Sequence, residues 1–185
     1  MNRREALTLT TMMVGGTIIG SQMWLSGCSP SKKKTDLLSE GDILFLDEVG
    51  ETILPKTDRS PGAKDAHIGE FMKAMVIDCY DDNEQRIFTD GIEKINRRAE
   101  EKFSISFLKL SSDEKFQLMV ELDTEAKNYK SENDANAHYF TLMKQLTIWG
   151  YFSSEVGSTQ ALRYNPVPGR YEGCAPFIPG EKAWA

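Results

Sequence analysis

Few residues in this chain could do chemistry, and they are scattered. Its 185 residues hold two histidines, His67 and His138. His67 stands close to Asp65, and an imidazole beside a carboxylate can move protons or begin a metal site. Either use needs a third convergent group, and none lies at ligand spacing. A structural or surface role is the simpler reading for His67 and for His138. Glu155, between Ser154 and Val156, could cap backbone N–H groups, pair with a partner's arginine, or act as an acid–base group with a histidine. No C-x-x-C-H for covalent haem, no G-x-G-x-x-G after a strand and no C-x-x-C pair for zinc occurs. A cofactor enzyme would normally carry such a signature. The expectation is therefore no catalytic, cofactor-binding or metal residue in this chain.

The three cysteines are Cys28, Cys79 and Cys174. Leu25-Ser26-Gly27-Cys28 resembles a bacterial lipobox, in which the Cys28 thiol accepts a diacylglycerol. More than one acyl chain anchors stably, since each buried methylene contributes about 0.8 kcal/mol. Outside the cytoplasm the other two thiols tend to pair. A Cys79–Cys174 bond would close a loop of about 95 residues, worth roughly 4–5 kcal/mol in the chain-entropy model. Two free thiols, or an intermolecular bond from Cys174, are the alternative readings.

The N-terminus is an address. Arg3 and Arg4 precede a weakly apolar stretch, residues 9–25, softened by threonines and glycines. This pattern resembles a twin-arginine signal, although paired arginines also occur in ordinary signals. The alternative to a cleaved lipoprotein signal is an uncleaved membrane helix, for which the stretch is short and polar. The division is thus residues 1–27 as signal, 28–35 as lipidated cysteine and polar tether, and 36–185 as one domain. About 158 residues remain beyond the signal, enough for a hydrophobic core. The chain carries a net charge of −6, and its only basic run is Lys32-Lys33-Lys34. That argues against nucleic acid as a partner and suits anionic lipid headgroups.

Hydrophobic periodicity predicts five helices and no strand, hence an all-α domain. Helix one spans Asp36–Leu54, with Ile43, Leu46, Val49 and Ile53 inward, a Ser39–Asp42 capping box and Pro55 as its stop. Helix two covers Ala66–Tyr80. Its stripe of Ile68, Phe71, Met72, Met75, Val76 and Cys79 places Cys79 on the buried face. Helix three runs from Asn83 to Lys102 on Phe88, Ile92, Ile95 and Ala99. A connector follows, in which Ile105, Phe107 and Leu108 plug the core. Helix four opens at Ser111, an N-cap with Glu114 as its partner, and turns Phe116, Met119, Val120 and Leu122 inward. Helix five, Ala137–Ser153, is apolar on more than one side because Leu142 and Trp149 widen its arc. Such a helix is either central to a bundle or buried against a partner.

From Thr147 to Pro176 aromatics alternate with Gly and Pro. Pro166, Pro168, Gly169 and Gly173 exclude a regular helix past Gly157. The segment reads as a strap packed on the chain's own helices, or as a strap that also faces a partner protein. The partner-facing candidates are Trp149, Tyr151, Phe152, Glu155, Tyr164, Pro168 and Tyr171.

The run Gly150-Tyr151-Phe152-Ser153-Ser154-Glu155-Val156-Gly157, followed by Pro168-Gly169-Arg170-Tyr171 and Gly173-Cys174-Ala175-Pro176, resembles the gluconate 2-dehydrogenase subunit 3 family. Ile53-Leu54-Pro55 and Pro61-Gly62-Ala63 add weaker support. The resemblance spans residues 36–176. It implies a non-catalytic small subunit of an exported dehydrogenase complex. In such complexes a flavoprotein of the glucose-methanol-choline type holds FAD and performs the oxidation, and a haem-bearing subunit often takes the electrons. The small subunit often carries the twin-arginine signal and helps its partner mature and cross the membrane. A lipid-anchored position on the periplasmic side of a bacterial membrane would follow. The rival readings are a free-standing periplasmic lipoprotein binding a small ligand or another protein, and an enzyme built on Glu155 and a histidine.

Overall fold

The computed structural model describes residues 37–129, 137–167, 169–170, 173–174, 176 and 178–184. Arg3, Arg4, Cys28, Pro168 and Tyr171 lie outside the described residues. The fold is all-α, with five α-helices among the described residues: α1 Glu40–Ile53, α2 Ile68–Cys79, α3 Asp82–Phe103, α4 Ser112–Asn128 and α5 Tyr139–Ser153. No described helix is long and apolar enough to cross a membrane.

Local chemistry sets most helix starts. Ser39 Oγ accepts the Asp42 N–H, and Asp42 accepts the Ser39 N–H in return at 2.8 Å. Asp81 with Glu84 does the same for α3, and Ser111 with Glu114 for α4. Each reciprocal pair satisfies donors that a helix end leaves orphaned. The start of α2 is different. His67 sits there in the left-handed region, at φ 51°, and offers no side-chain cap. The cap comes from another helix: Asp47 of α1 accepts the Gly69 N–H at 2.8 Å. This bond ties α1 to α2 where they pack.

The core is one cluster drawn from all five helices and the α3–α4 connector. Leu46, Val49, Ile68, Met72, Val76, Phe88, Ile95, Leu118, Leu122 and Met143 are fully buried within it. α5 packs against each of the other four helices. Its wide apolar arc is therefore mostly explained by a central position.

Five inward assignments are corrected. Phe116 and Val120 of α4 are exposed, at 61% and 47%, and Leu118 is buried instead. The α4 core face is thus Leu118, Met119 and Leu122, and a stripe drawn through Phe116 is rotated away from it. In the connector Phe107, tilted against Phe45 with ring centroids 4.9 Å apart, and Leu110 plug the core, while Ile105 and Leu108 face outward. Cys79, the last residue of α2, is exposed. The helix ends there, and Tyr80 takes the inward position, edge-on to Phe88 at 6.3 Å.

Loss of the Asp47 carboxylate leaves the α2 start without its cap. Asp47→Ala is expected to lower unfolding free energy by about 1–2 kcal/mol, whereas Asp47→Asn retains most of it, as judged by urea denaturation.

Candidate functional site

The residues singled out from the sequence separate into an inner and an outer set at the end of α5. Tyr151 belongs to the inner set. It is 3% exposed, and its hydroxyl donates to the Pro61 carbonyl at 2.5 Å. This holds the α1–α2 loop against α5 and takes Tyr151 out of the partner-facing group. The outer set is a shelf. Ile148, Trp149 and Phe152 are exposed at 40%, 56% and 37%, and the helical repeat lines them up on one side of α5. Phe71 of α2 meets the Trp149 ring edge-on at 5.7 Å. The helix thus buries one apolar face in the core and offers a second to the outside.

The two glycines that bracket this run have steric reasons. A Cβ on Gly150 would stand 2.4 Å from the Phe71 ring, so Gly150 lets α2 come close enough for Phe71 to join the shelf. A Cβ on Gly157 would stand 1.8 Å from the Tyr151 carbonyl oxygen. After α5 the chain folds back on that carbonyl into a π turn, Gly157–Ala161. Ser154 Oγ accepts the Gly157 N–H at 3.0 Å. The capping considered for Glu155 is therefore performed by Ser154, and Glu155 is exposed.

Beyond the turn the chain leaves and returns. Arg163 closes the neck. Its N–H donates to the Ala183 carbonyl at 2.8 Å, its guanidinium pairs with Glu181 at 3.1 Å, and the same group lies 3.7 Å over the Trp184 ring. Arg59 donates to the Gly180 carbonyl, and Lys182 reaches the Gln160 carbonyl. Within this arm Tyr164, Val167 and Ile178 are exposed, at 56%, 78% and 51%. A cavity of about 440 Å³ lies between the returning chain and the α1–α2 loop, with Tyr151, Phe152, Pro55 and Pro61 in its lining. Cys79 and Cys174 are both free and exposed.

The histidines do not converge. His67 is exposed at the start of α2. His138 is buried and caps α5: its Nδ1 accepts the Phe140 N–H at 3.3 Å, and its Nε2 lies 3.5 Å from Glu125. Burial pushes the imidazole below its ordinary value of 6.5, Lys94 and Arg98 add to that, and Glu125 opposes it. The cap requires an unprotonated Nδ1, which acts in the same direction. Among the described residues no three of His, Cys, Asp and Glu are grouped to hold a metal.

The family model described as Gluconate 2-dehydrogenase subunit 3 matches residues 40–169. The chain belongs to this family. No curated protein and no solved structure matches it. In this subunit 3 chain the matched span takes in all five helices, the shelf and the π turn. It stops short of Gly173-Cys174-Ala175-Pro176 and of the returning arm that Arg163 clasps.

The signal for the α5 shelf was the excess width of its apolar arc. Phe71 could not be assigned to it in advance, because from sequence it belongs to the core stripe of α2.

The state of His138 makes a pH prediction. Its folded-state value lies below the unfolded one, so the unfolded chain takes up the proton first. Stability is then full above pH 6.5 and falls as pH drops through the folded value. Urea midpoints should decline across that window, and His138→Asn, whose amide oxygen can still cap, should flatten the decline. Glu48 and Asp123 act only at lower pH. At Glu48 burial works upward, but hydrogen bonds and charge from Lys64 and Lys115 hold it below 4.5. Lys127 and Lys144 likewise hold Asp123 below 3.8.

Proposed function

We propose that this chain is the non-catalytic small subunit of an exported, FAD-dependent dehydrogenase of the glucose-methanol-choline type. It aids export and maturation of the catalytic subunit and tethers it to the periplasmic face of a bacterial membrane through lipidated Cys28. Membership of a family described as a dehydrogenase subunit supports the assembly with other subunits. The observation that carries the reading within this chain is the exposed shelf of Ile148, Trp149 and Phe152, with partly buried Phe71 set edge-on to Trp149. Aromatic side chains at an interface contribute large buried area, and such anchors dominate binding energy. The flavoprotein is the occupant proposed for the shelf, with Tyr164 and Glu155 as further contacts; Pro168 and Tyr171, which lie outside the described residues, are proposed as contacts from the sequence alone. FAD belongs to that partner, and a haem-bearing subunit would take its electrons.

The second reading is a free-standing lipoprotein that binds a small ligand. The cavity between Tyr151, Phe152 and the returning arm favours it. A pocket of that size falls in the range that small molecules occupy.

Affinity purification of the full-length chain from native membranes separates the two. The subunit reading predicts a co-eluting large chain and flavin absorbance in the eluate. The double substitution Trp149→Glu/Phe152→Glu, at exposed positions, should remove both while the chain stays folded. A clean monomer without chromophore, from membranes that express the flavoprotein, would select the ligand-binding reading.

A further inference from the structure

At the other end of α5 from the shelf lies a groove of different chemistry. Its volume is about 490 Å³. α3 supplies one wall through Lys94, Arg97, Arg98 and Glu101, which the helical repeat places on one side. The end of α4 and the start of α5 supply the other through Glu125, Tyr129, His138 and Tyr139.

The α3 wall is cationic in a chain whose net charge is −6. Arg98 is engaged, paired with Glu125 at 3.1 Å. That pairing also neutralises the only carboxylate of the facing wall among the described residues. Lys94 and Arg97 are exposed, and among the described lining residues Glu101 is the one remaining carboxylate, so that lining keeps a positive balance. Lys94 is not loose: its ammonium lies 5.4 Å from the centroid of the Tyr139 ring. The facing wall is a run of three rings. Tyr129 and His138 are 5.2 Å apart by centroid, and His138 and Tyr139 are 4.2 Å apart. His138 and Tyr139 are buried in place, whereas Tyr129 is half-exposed at the rim. A cationic wall opposite a ring-lined wall offers two contacts at once: a charge-assisted bond to an oxyanion, and a flat apolar face for a ring.

We propose that this groove binds a small aromatic anion, a planar ring bearing a phosphate or carboxylate group. Lys94 and Arg97 receive the charged group, and Tyr129 receives the ring. The site is separate from the α5 shelf and does not depend on the partner proposed for it.

The test is titration of the full-length detergent-solubilised protein, at low ionic strength, with phenyl phosphate, inorganic phosphate and phenol. Phenyl phosphate should bind saturably and about tenfold more tightly than inorganic phosphate, and phenol should not compete. Lys94→Gln/Arg97→Gln should weaken phenyl phosphate by about tenfold or more. Both positions are exposed, so circular dichroism should show an unchanged fold. Tyr129→Leu should bring phenyl phosphate down to the affinity of inorganic phosphate. Absence of saturable phenyl phosphate binding would overturn the proposal. So would a double variant that binds like the parent, or equal affinity of the parent protein for the two phosphates.

Discussion

The domain depends on the burial of α5 against all four of its neighbours. Phe140, Leu142, Met143, Leu146 and Tyr151 are each at most 6% exposed, and they point to more than one side of the helix. Each such side chain stabilises by about 1.5–3 kcal/mol when fully buried. The ion pairs Arg98–Glu125 and Lys127–Asp123 lie on the surface. Pairs of that kind contribute about 0–1 kcal/mol each. Apolar packing around α5, rather than charge, therefore holds the bundle. The two ends of the helix are fixed by polar groups that serve this packing. His138 caps the first turn, and the Tyr151 hydroxyl holds the α1–α2 loop over the last.

What could be read from the sequence follows from how local each cause is. The capping boxes at Ser39 and Ser111 involve residues three apart, so they were legible and the helices begin there. The stripes of α2 and α3 were legible because a single period describes them. α4 was not, because Phe116 and Val120 are apolar yet exposed, and composition cannot say which of two overlapping stripes meets the core. The cap of α2 was illegible because its acceptor, Asp47, lies 22 residues away on another helix. Cys79 follows the helical period but sits where α2 runs out of neighbours.

The same contrast applies to the surfaces. Excess apolar width on α5 came from Leu142 and Trp149; Trp149 is exposed, whereas Leu142 is buried in the core, and Tyr151, two residues past Trp149, turns inward because a helix rotates about 100° per residue. The aromatic strap past Gly157 was legible as irregular chain. Its closure was not, since the clasp joins Arg163 to Glu181, Ala183 and Trp184 across a long excursion. That clasp fixes both ends of an arm whose Tyr164, Val167 and Ile178 remain uncovered. Shelf and arm lie near the same end of the chain's central helix, and both present apolar groups that the domain's own core leaves unused.

The most direct test of a docking role for the shelf is hydroxyl-radical footprinting of the chain, free and within the purified dehydrogenase complex. Phe116, exposed on α4, provides an internal reference remote in sequence from the shelf. The account predicts that Trp149 and Phe152 are oxidised readily in the free chain and become protected in the complex, while Phe116 keeps its reactivity. Equal oxidation of Trp149 and Phe152 in both states would contradict it.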